Sequence, residues 1–138
     1  MRLAASGYVR DDHLQPYAYV SQNRDGKKNR RVEMTYGDDD VEMTATPAFG
    51  NLGEPPATPA QKLGAADPLT AFLGHAFLPR PADGNPCGGP MKIFDGRQLT
   101  YLTFENAGLK EVKTDAYRGK AYECHVDMDK VAGYDDRH

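Results

Sequence analysis

The chain has 138 residues, a length that fits one domain with a hydrophobic core of its own. Seventeen Lys and Arg residues against twenty Asp and Glu residues leave a formal net charge of −3, which argues against general nucleic-acid binding because such proteins carry a basic excess. No run of about 18 apolar residues is present, so the sequence predicts no transmembrane helix. Met1–Ser6 also lacks the apolar segment of a complete signal peptide.

The first part of the chain predicts three antiparallel strands. Tyr17–Gln22 is rich in Tyr and Val, and the Asp25-Gly26 pair that follows is typical of a hairpin turn. Arg31–Tyr36 and Val41–Ala45 alternate apolar with polar residues, which is the pattern of a strand with one buried face. In series, these segments predict a meander.

The middle of the chain predicts an irregular loop and one helix. Thr46–Gly64 contains four Pro residues, and only Pro59–Leu63 within it could form a helical turn. Asp67 followed by Pro68 is a helix start, because Asp caps the first turn and Pro fits the first helical position. We expect this helix to end at about Leu78, before the next Pro. Its apolar residues at helical spacing, predicted to pack on the sheet, are Leu69, Phe72, Leu73 and Phe77.

The C-terminal part is predicted to be extended. Asn106-Ala107-Gly108 is expected to turn the chain between the second and third of its strands. The last segment has the cleanest alternation, which predicts that Tyr122, Cys124, Val126 and Met128 face inward. The predicted strands are Met91–Phe94, Gln98–Glu105, Leu109–Thr114 and Ala121–Met128.

These elements predict a single, mainly β domain over residues 1–138. Fourteen Gly and ten Pro residues indicate many turns, which favours a β-rich domain over a helical bundle. We expect about seven or eight antiparallel strands in a curved or partly closed, barrel-like sheet with one short helix packed on it. A β-sandwich is the alternative.

Neither cluster of charged residues predicts a binding site. The basic residues between Arg24 and Arg31 have no aromatic residue among them for base stacking, so a solvated hairpin tip is favoured over a phosphate or nucleic-acid contact. Asp38–Asp40 lacks the residue spacing of a calcium loop. No two His residues are three or four positions apart, so we expect no metal and no cofactor.

The sequence favours a protein without catalytic activity. It contains neither a Gly-x-Ser-x-Gly motif nor a Gly-rich phosphate loop. The alternative is a hydrolase whose site uses His75, His125 and nearby acidic residues, with Cys87 as a nucleophile beside His75. If the apolar face of the helix packs on a concave sheet, the space between them is either an apolar pocket for a small molecule or a filled core. The residues predicted to line this pocket are Met34, Tyr36, Phe72, Phe77, Phe104 and Tyr122.

Several segments in register resemble domain-of-unknown-function family 3108, an exported bacterial family. The segments that carry the resemblance are Arg30–Val32 after an upstream Gly-Lys, Asp67–Leu73, Cys87 followed by Ile93–Arg97, Tyr117–Cys124 and Val131–Tyr134. The resemblance implies a periplasmic or secreted protein of antiparallel β architecture and supplies no chemistry. By comparison with such members, the chain resembles a family domain trimmed at each end.

The compartment implied by the resemblance favours a disulfide between Cys87 and Cys124, because such bonds persist in oxidising surroundings. Two unrelated free thiols are the alternative.

The leading hypothesis is a non-catalytic envelope protein that binds a small apolar ligand or an envelope protein. A third hypothesis is a structural module that interacts, or forms homo-oligomers, through open sheet edges.

Overall fold

The computed structural model describes residues 1–25, 28–80 and 84–135, in which seven strands form two antiparallel sheets. The first sheet has the order β1-β2-β3-β4, and the second has the order β5-β6-β7. The prediction of a mainly β, antiparallel fold is therefore confirmed. The strands are β1 (Arg2–Val9), β2 (Leu14–Asp25), β3 (Lys28–Tyr36), β4 (Val41–Thr46), β5 (Met91–Phe94), β6 (Leu99–Lys113) and β7 (Arg118–Ala132).

Alternation along the first sheet produces the burial expected for a strand with one face on the core. On β3, Val32 and Met34 are buried, whereas Glu33 and Thr35 are exposed. The hairpin between β2 and β3 is confirmed by its strand pairing, which runs to Asp25 opposite Lys28. The turn predicted at Asp25-Gly26 falls at residues 26–27, outside the described residues.

The sequence pattern does not indicate strand β1, because its central residues, Ala4–Gly7, are small and show little alternation. It pairs antiparallel with β2, and the register shifts between Ser6 and Gly7. A Cβ atom on Gly7 would overlap the carbonyl oxygen of Gln15, so the backbones approach closely at this bulge. The missed strand matters because it lies at one edge of the first sheet.

The predicted turn at Asn106-Ala107-Gly108 is wrong, because β6 continues through these residues. Asn106 lies opposite Cys124 and Leu109 lies opposite Tyr122, so β6 has one more residue here than β7. The Asn106 side chain accepts a hydrogen bond from Gly108 N, and Gly108 has a φ of 97°. A local Asn-Gly arrangement of this kind also suits a β-bulge, in which the strand bends without reversing.

Two helices lie between the sheets in sequence, α1 (Pro59–Lys62) and α2 (Pro68–Phe77). The predicted start of α2 is confirmed, since Asp67 Oδ1 accepts a hydrogen bond from Thr70 N at 2.8 Å and Oδ2 accepts one from Thr70 Oγ1 at 2.7 Å. Contacts of α2 with β1, β2 and β5 place this helix where the two sheets meet.

The predicted packing face of α2 requires correction. Leu69 packs against the core, but Phe72 is 56% exposed and Phe77 is 80% exposed, and Leu73 is also on the exposed side. The side that faces the protein carries small residues: an ideal Cβ on Gly74 would lie 3.6 Å from Leu14. Small residues let the helix approach the sheet closely, and this turns the larger apolar side chains outward.

The core lies between the inner face of the first sheet and the beginning of the second. Tyr36 on β3 donates a hydrogen bond of 2.9 Å to the carbonyl oxygen of Phe94 on β5. Within the described ranges no strand of one sheet pairs with a strand of the other, and they form no closed barrel, so the barrel-like form stays unconfirmed. The buried members of the core are Tyr19, Val32, Met34, Val41, Ala65, Phe94, Leu99 and Ala132.

Strands β6 and β7 form a long ribbon whose side chains are mostly exposed on both faces beyond the core. Tyr122, Val126 and Met128 are 50%, 53% and 59% exposed, so the prediction that they face inward is wrong. Alternation gave their common face correctly. It did not reveal that, in the described part of the chain, neither a helix nor the first sheet packs extensively on this part of β7.

Gly133 offers a test of the close packing at the end of β7. Its φ is 82°, and a Cβ atom there would overlap the carbonyl oxygen of Arg97. We predict that Gly133→Ala lowers the free energy of unfolding by roughly 3 kcal/mol, because backbone strain and steric overlap act together. Urea denaturation followed by circular dichroism measures the change. Gly89→Ala is the control, since no atom lies within 4 Å of its Cβ position, and equal stability of the two variants would contradict the packing described here.

Candidate functional site

An open groove lies on the inner face of the first sheet, on the side of β1 and β2 that the second sheet leaves uncovered. It encloses about 910 Å3. Its apolar floor comprises Leu3, Tyr19 and Val32 from three adjacent strands, with Ser21 paired between Leu3 and Val32. We call this space the first-sheet groove. Its other lining residues include Asn23, Arg30, Phe49, Pro68, Asp95, Arg97 and Gln98.

A cationic side chain forms one rim of the first-sheet groove. The Arg30 guanidinium lies over the Phe49 ring at 4.4 Å, and its Nε donates to the carbonyl oxygen of Pro47 at 2.9 Å. These contacts hold the side chain in place without neutralising its charge. Among the described residues no carboxylate forms an ion pair with Arg30, so its charge is available to an anionic group in the groove.

The opposite rim contains Arg97, whose donors are used within the protein. Nη1 donates to Gly133 O at 2.8 Å, Nε donates to Asn51 O at 3.1 Å, and Nη2 contacts both Asn51 Oδ1 and Asp135 Oδ1. Beside it, Asp95 Oδ1 accepts hydrogen bonds from Arg97 N and Gln98 N. This rim is therefore a rigid support that joins three segments of the chain.

Two Tyr hydroxyls at the base of the groove and in the adjoining core remain protonated. Burial raises the pKa of Tyr19 above 10.0, and the negative charges of Asp67 and Asp95 raise it further. Burial likewise raises the pKa of Tyr36, with added contributions from Asp67, Tyr19 and Asp95. Tyr36 donates its proton to Phe94 O on the second sheet. Because Tyr19 lines the groove and Tyr36 does not, Tyr19 is the residue nearer to a ligand in the groove.

The disulfide predicted between Cys87 and Cys124 is present, and it joins the loop after α2 to β7. Asn85 supports the same junction, because its Nδ2 donates to Phe104 O at 2.8 Å and its Oδ1 accepts from Cys87 N at 2.9 Å. The Cys87 sulfur also lies 3.8 Å from Glu105 O, but this contact is not a hydrogen bond because a disulfide sulfur has no proton. The loop is thereby fixed to both strands of the ribbon.

His75 lies beside this disulfide, as the hydrolase alternative required. Its ring stacks on Phe104 at 4.4 Å between centroids, and a Cβ on Gly88 would lie 2.8 Å from its Cε1. Burial lowers the pKa of His75, and the charge of Arg80 lowers it further. Cys87, however, has no free thiol. His125 projects from the other face of the ribbon, opposite Glu105.

The six residues predicted to line one apolar pocket lie in four separate places. Met34 and Tyr36 belong to the core, and Phe104 lies under His75. The other three are exposed: Phe72 and Phe77 on α2, and Tyr122 on β7. Ligand binding by these residues stays a prediction. The first-sheet groove escaped sequence analysis because its lining comes from scattered segments, including the unexpected β1.

The described ranges contain no group of three His, Cys, Asp or Glu side chains that could hold a metal ion. Nor does any helix in these ranges have both the length and the apolar character needed to cross a bilayer.

Comparison with known proteins identifies the family. A family model described as a protein of unknown function (DUF3108) matches residues 1–134. The chain belongs to this family. No curated protein and no solved structure matches it. Two of the segments that carry the DUF3108 resemblance, Ile93–Arg97 and Val131–Tyr134, meet through the hydrogen bond from Arg97 to Gly133 O.

The disulfide is expected to stabilise this DUF3108 domain strongly. It closes a loop with a sequence separation of 37 residues. In the chain-entropy model a loop of this length contributes about 4 kcal/mol, so the Cys87→Ser, Cys124→Ser double variant should lose about that much free energy of unfolding. Urea denaturation measures the loss. A thiol assay on unreduced, denatured wild type should detect no thiol, and detection of two would contradict the bond.

His75 predicts a dependence of stability on pH. Because the folded protein lowers the pKa of His75 below its usual 6.5, the unfolded chain binds this proton more readily. The free energy of unfolding should therefore fall as the pH decreases through 6.5. His75→Phe removes the titrating group and should show a shallower fall when unfolding is measured between neutral and mildly acidic pH. Parallel curves for wild type and variant would contradict this assignment.

Proposed function

We propose that this protein is a non-catalytic binding domain of the bacterial cell envelope, and that its first-sheet groove takes an amphipathic small molecule. The groove itself is the observation on which the proposal rests. Its volume of about 910 Å3 falls within the range of small-molecule sites, about 300–1,000 Å3. A curved or partly closed first sheet, as expected from the sequence, would deepen it.

The chemistry of the lining supports a ligand with an apolar body and an acidic group. Leu3, Tyr19 and Val32 offer an apolar floor on which a hydrocarbon or ring system can be removed from water. Arg30 stands at the rim with donors for a carboxylate, sulfonate or phosphate. This combination of an apolar surface with a few polar groups is typical of sites that orient a small molecule.

The disulfide and the family support a location outside the cytoplasm. Disulfides persist in oxidising compartments and are rare in reducing ones. The family resemblance adds that members look exported. Both observations favour the periplasm or the exterior over the cytoplasm.

The hydrolase alternative receives less support from the geometry. The sulfur beside His75 is part of the disulfide, so this pair provides no nucleophile. The side-chain partner of His75 is the Arg80 guanidinium, which cannot orient an imidazole as an acidic residue would. His75 and Cys87 take part instead in a packed contact between α2, the loop after it and the ribbon, whereas His125 lies on the other face.

A fluorescent amphiphile tests the groove directly. We expect 1-anilinonaphthalene-8-sulfonate, which has an apolar ring system and one anionic group, to bind with an increase in fluorescence. Ser21→Trp should weaken this binding at least about tenfold, because Ser21 lies on the floor between Leu3 and Val32 and an indole there fills the space. Arg30→Gln should weaken binding of the anionic probe more than binding of an uncharged analogue.

Thr35→Trp is the matched control, since Thr35 is exposed on the opposite face of β3. It places the same indole on the same sheet outside the groove. Circular dichroism should show both Trp variants folded. Equal probe binding by Ser21→Trp and Thr35→Trp, or no binding by wild type, would refute the groove as the site.

A further inference from the structure

The outer edge of β7 is a second surface that the proposed groove does not involve. Strand β7 has 15 residues and lies last in the order β5-β6-β7, so among the described strands its backbone pairs on one side only. Within the described residues no strand covers the other side. A long edge with unpaired N–H and C=O groups is a template for an added strand.

The two faces of this edge differ sharply in chemistry. One face presents Tyr122, Val126 and Met128, which are exposed and apolar. The other presents Glu123, His125, Asp127 and Asp129, of which the three acidic residues form the acidic row. A strand added at this edge would therefore place alternate side chains beside an apolar row and beside an acidic row.

Most of the acidic row lacks a compensating charge. Glu123 has Lys110 at 3.9 Å, a distant contact between exposed groups. Asp127 and Asp129 have no cationic partner among the described residues, and Glu105 on the neighbouring β6 adds a further negative charge to this face. A partner with cationic side chains on this face would be attracted to Asp127 and Asp129, which have no such partner within the described part of this chain.

This charge pattern disfavours a second copy of the chain at the edge. Two β7 strands paired antiparallel around a twofold axis would place both acidic rows on the same face of the joined sheet. Like charges side by side across strands destabilise the pairing. A strand with Lys or Arg on that face would instead form cross-strand ion pairs, so the acidic row selects its partner by charge.

We infer that the β7 edge binds an extended segment of another protein in which basic residues alternate with apolar residues. The segment adds a strand to the second sheet. Its backbone bonds to the open edge, its apolar side chains extend the row of Tyr122, Val126 and Met128, and its Lys or Arg side chains face Asp127 and Asp129. This inference is independent of the first-sheet groove.

A labelled peptide tests the pairing. The probe is a twelve-residue peptide in which Lys alternates with Val and Tyr, and fluorescence anisotropy measures its binding to the full chain at low and at moderate salt. We expect saturable binding that weakens as salt screens the charges. A peptide of the same composition with its Lys residues grouped at one end should bind at least about tenfold more weakly, because it cannot match alternate faces.

A charge reversal identifies the surface. Asp127→Lys with Asp129→Lys should weaken binding of the basic peptide at least about tenfold, and should favour a peptide with Glu in place of Lys. The matched control is Asp39→Lys with Glu42→Lys, which reverses two exposed acidic residues, one in the turn after β3 and one on β4, and changes the net charge equally. All four positions are exposed, so both double variants should fold.

Hydrogen exchange separates strand addition from loose electrostatic attraction. Bound peptide should slow exchange of backbone amides between residues 118 and 131, whereas attraction by charge alone leaves them unchanged. Binding without this protection overturns the inference, as does equal loss of binding in both double variants or no binding up to about 1 mM peptide. A dimer in light scattering that resists the peptide would assign the edge to a second copy and also overturn it. Ser21→Trp should leave peptide binding unaltered, so this test and the groove test fail separately.

Discussion

The buried carboxylate of Asp67 is the constraint on which the meeting of the two sheets depends. It is wholly removed from solvent, and a group of this kind is costly to bury unless hydrogen bonds compensate it. Thr70 supplies two such bonds from the first turn of α2, where the helix dipole also favours a negative charge. Just before it, Ala66 bonds to both Lys92 and Phe94 of β5. One short segment therefore joins α2 to the second sheet.

This arrangement positions the groove as well as the core. With α2 in contact with β1, β2 and β5, Pro68 at its start becomes part of the groove wall. Arg97 completes the opposite side, because its guanidinium ties the turn after β5 to Asn51 and Gly133. The groove is thus bounded by elements that are fixed through the interior, which suits a site that must keep its shape.

Local pattern explains which parts of the fold could be predicted from sequence. Residues close in sequence are enough to recognise two features, the alternation of Arg31–Tyr36 and the helix cap at Asp67-Pro68. The structure confirms the strand and the helix start there. The errors arose where tertiary packing decides. Phe72 and Phe77 are large and apolar, yet α2 packs through smaller residues, and Asn106–Gly108 has turn chemistry that a bulge uses equally well.

The candidate site was less accessible to sequence analysis than the strands. The floor of the groove combines Leu3, Tyr19 and Val32, whose proximity depends on the register of three strands, one of them unrecognised. A single sequence does not specify which strand pairs with which. By contrast, the bond between Cys87 and Cys124 could be expected from cysteine number and compartment, because two residues allow only one pairing.

The disulfide also divides the ribbon into two mechanical parts. From Cys124 toward the core, the ribbon is tied to the loop and lies under His75. Beyond it, residues 107–113 and 118–123 form a two-stranded hairpin, and no other described helix or strand packs extensively on it. An isolated hairpin is marginally stable in water. This distal part should therefore unfold and refold locally while the rest stays folded. The disulfide thus marks the boundary between a stable part of the ribbon and a locally unfolding part.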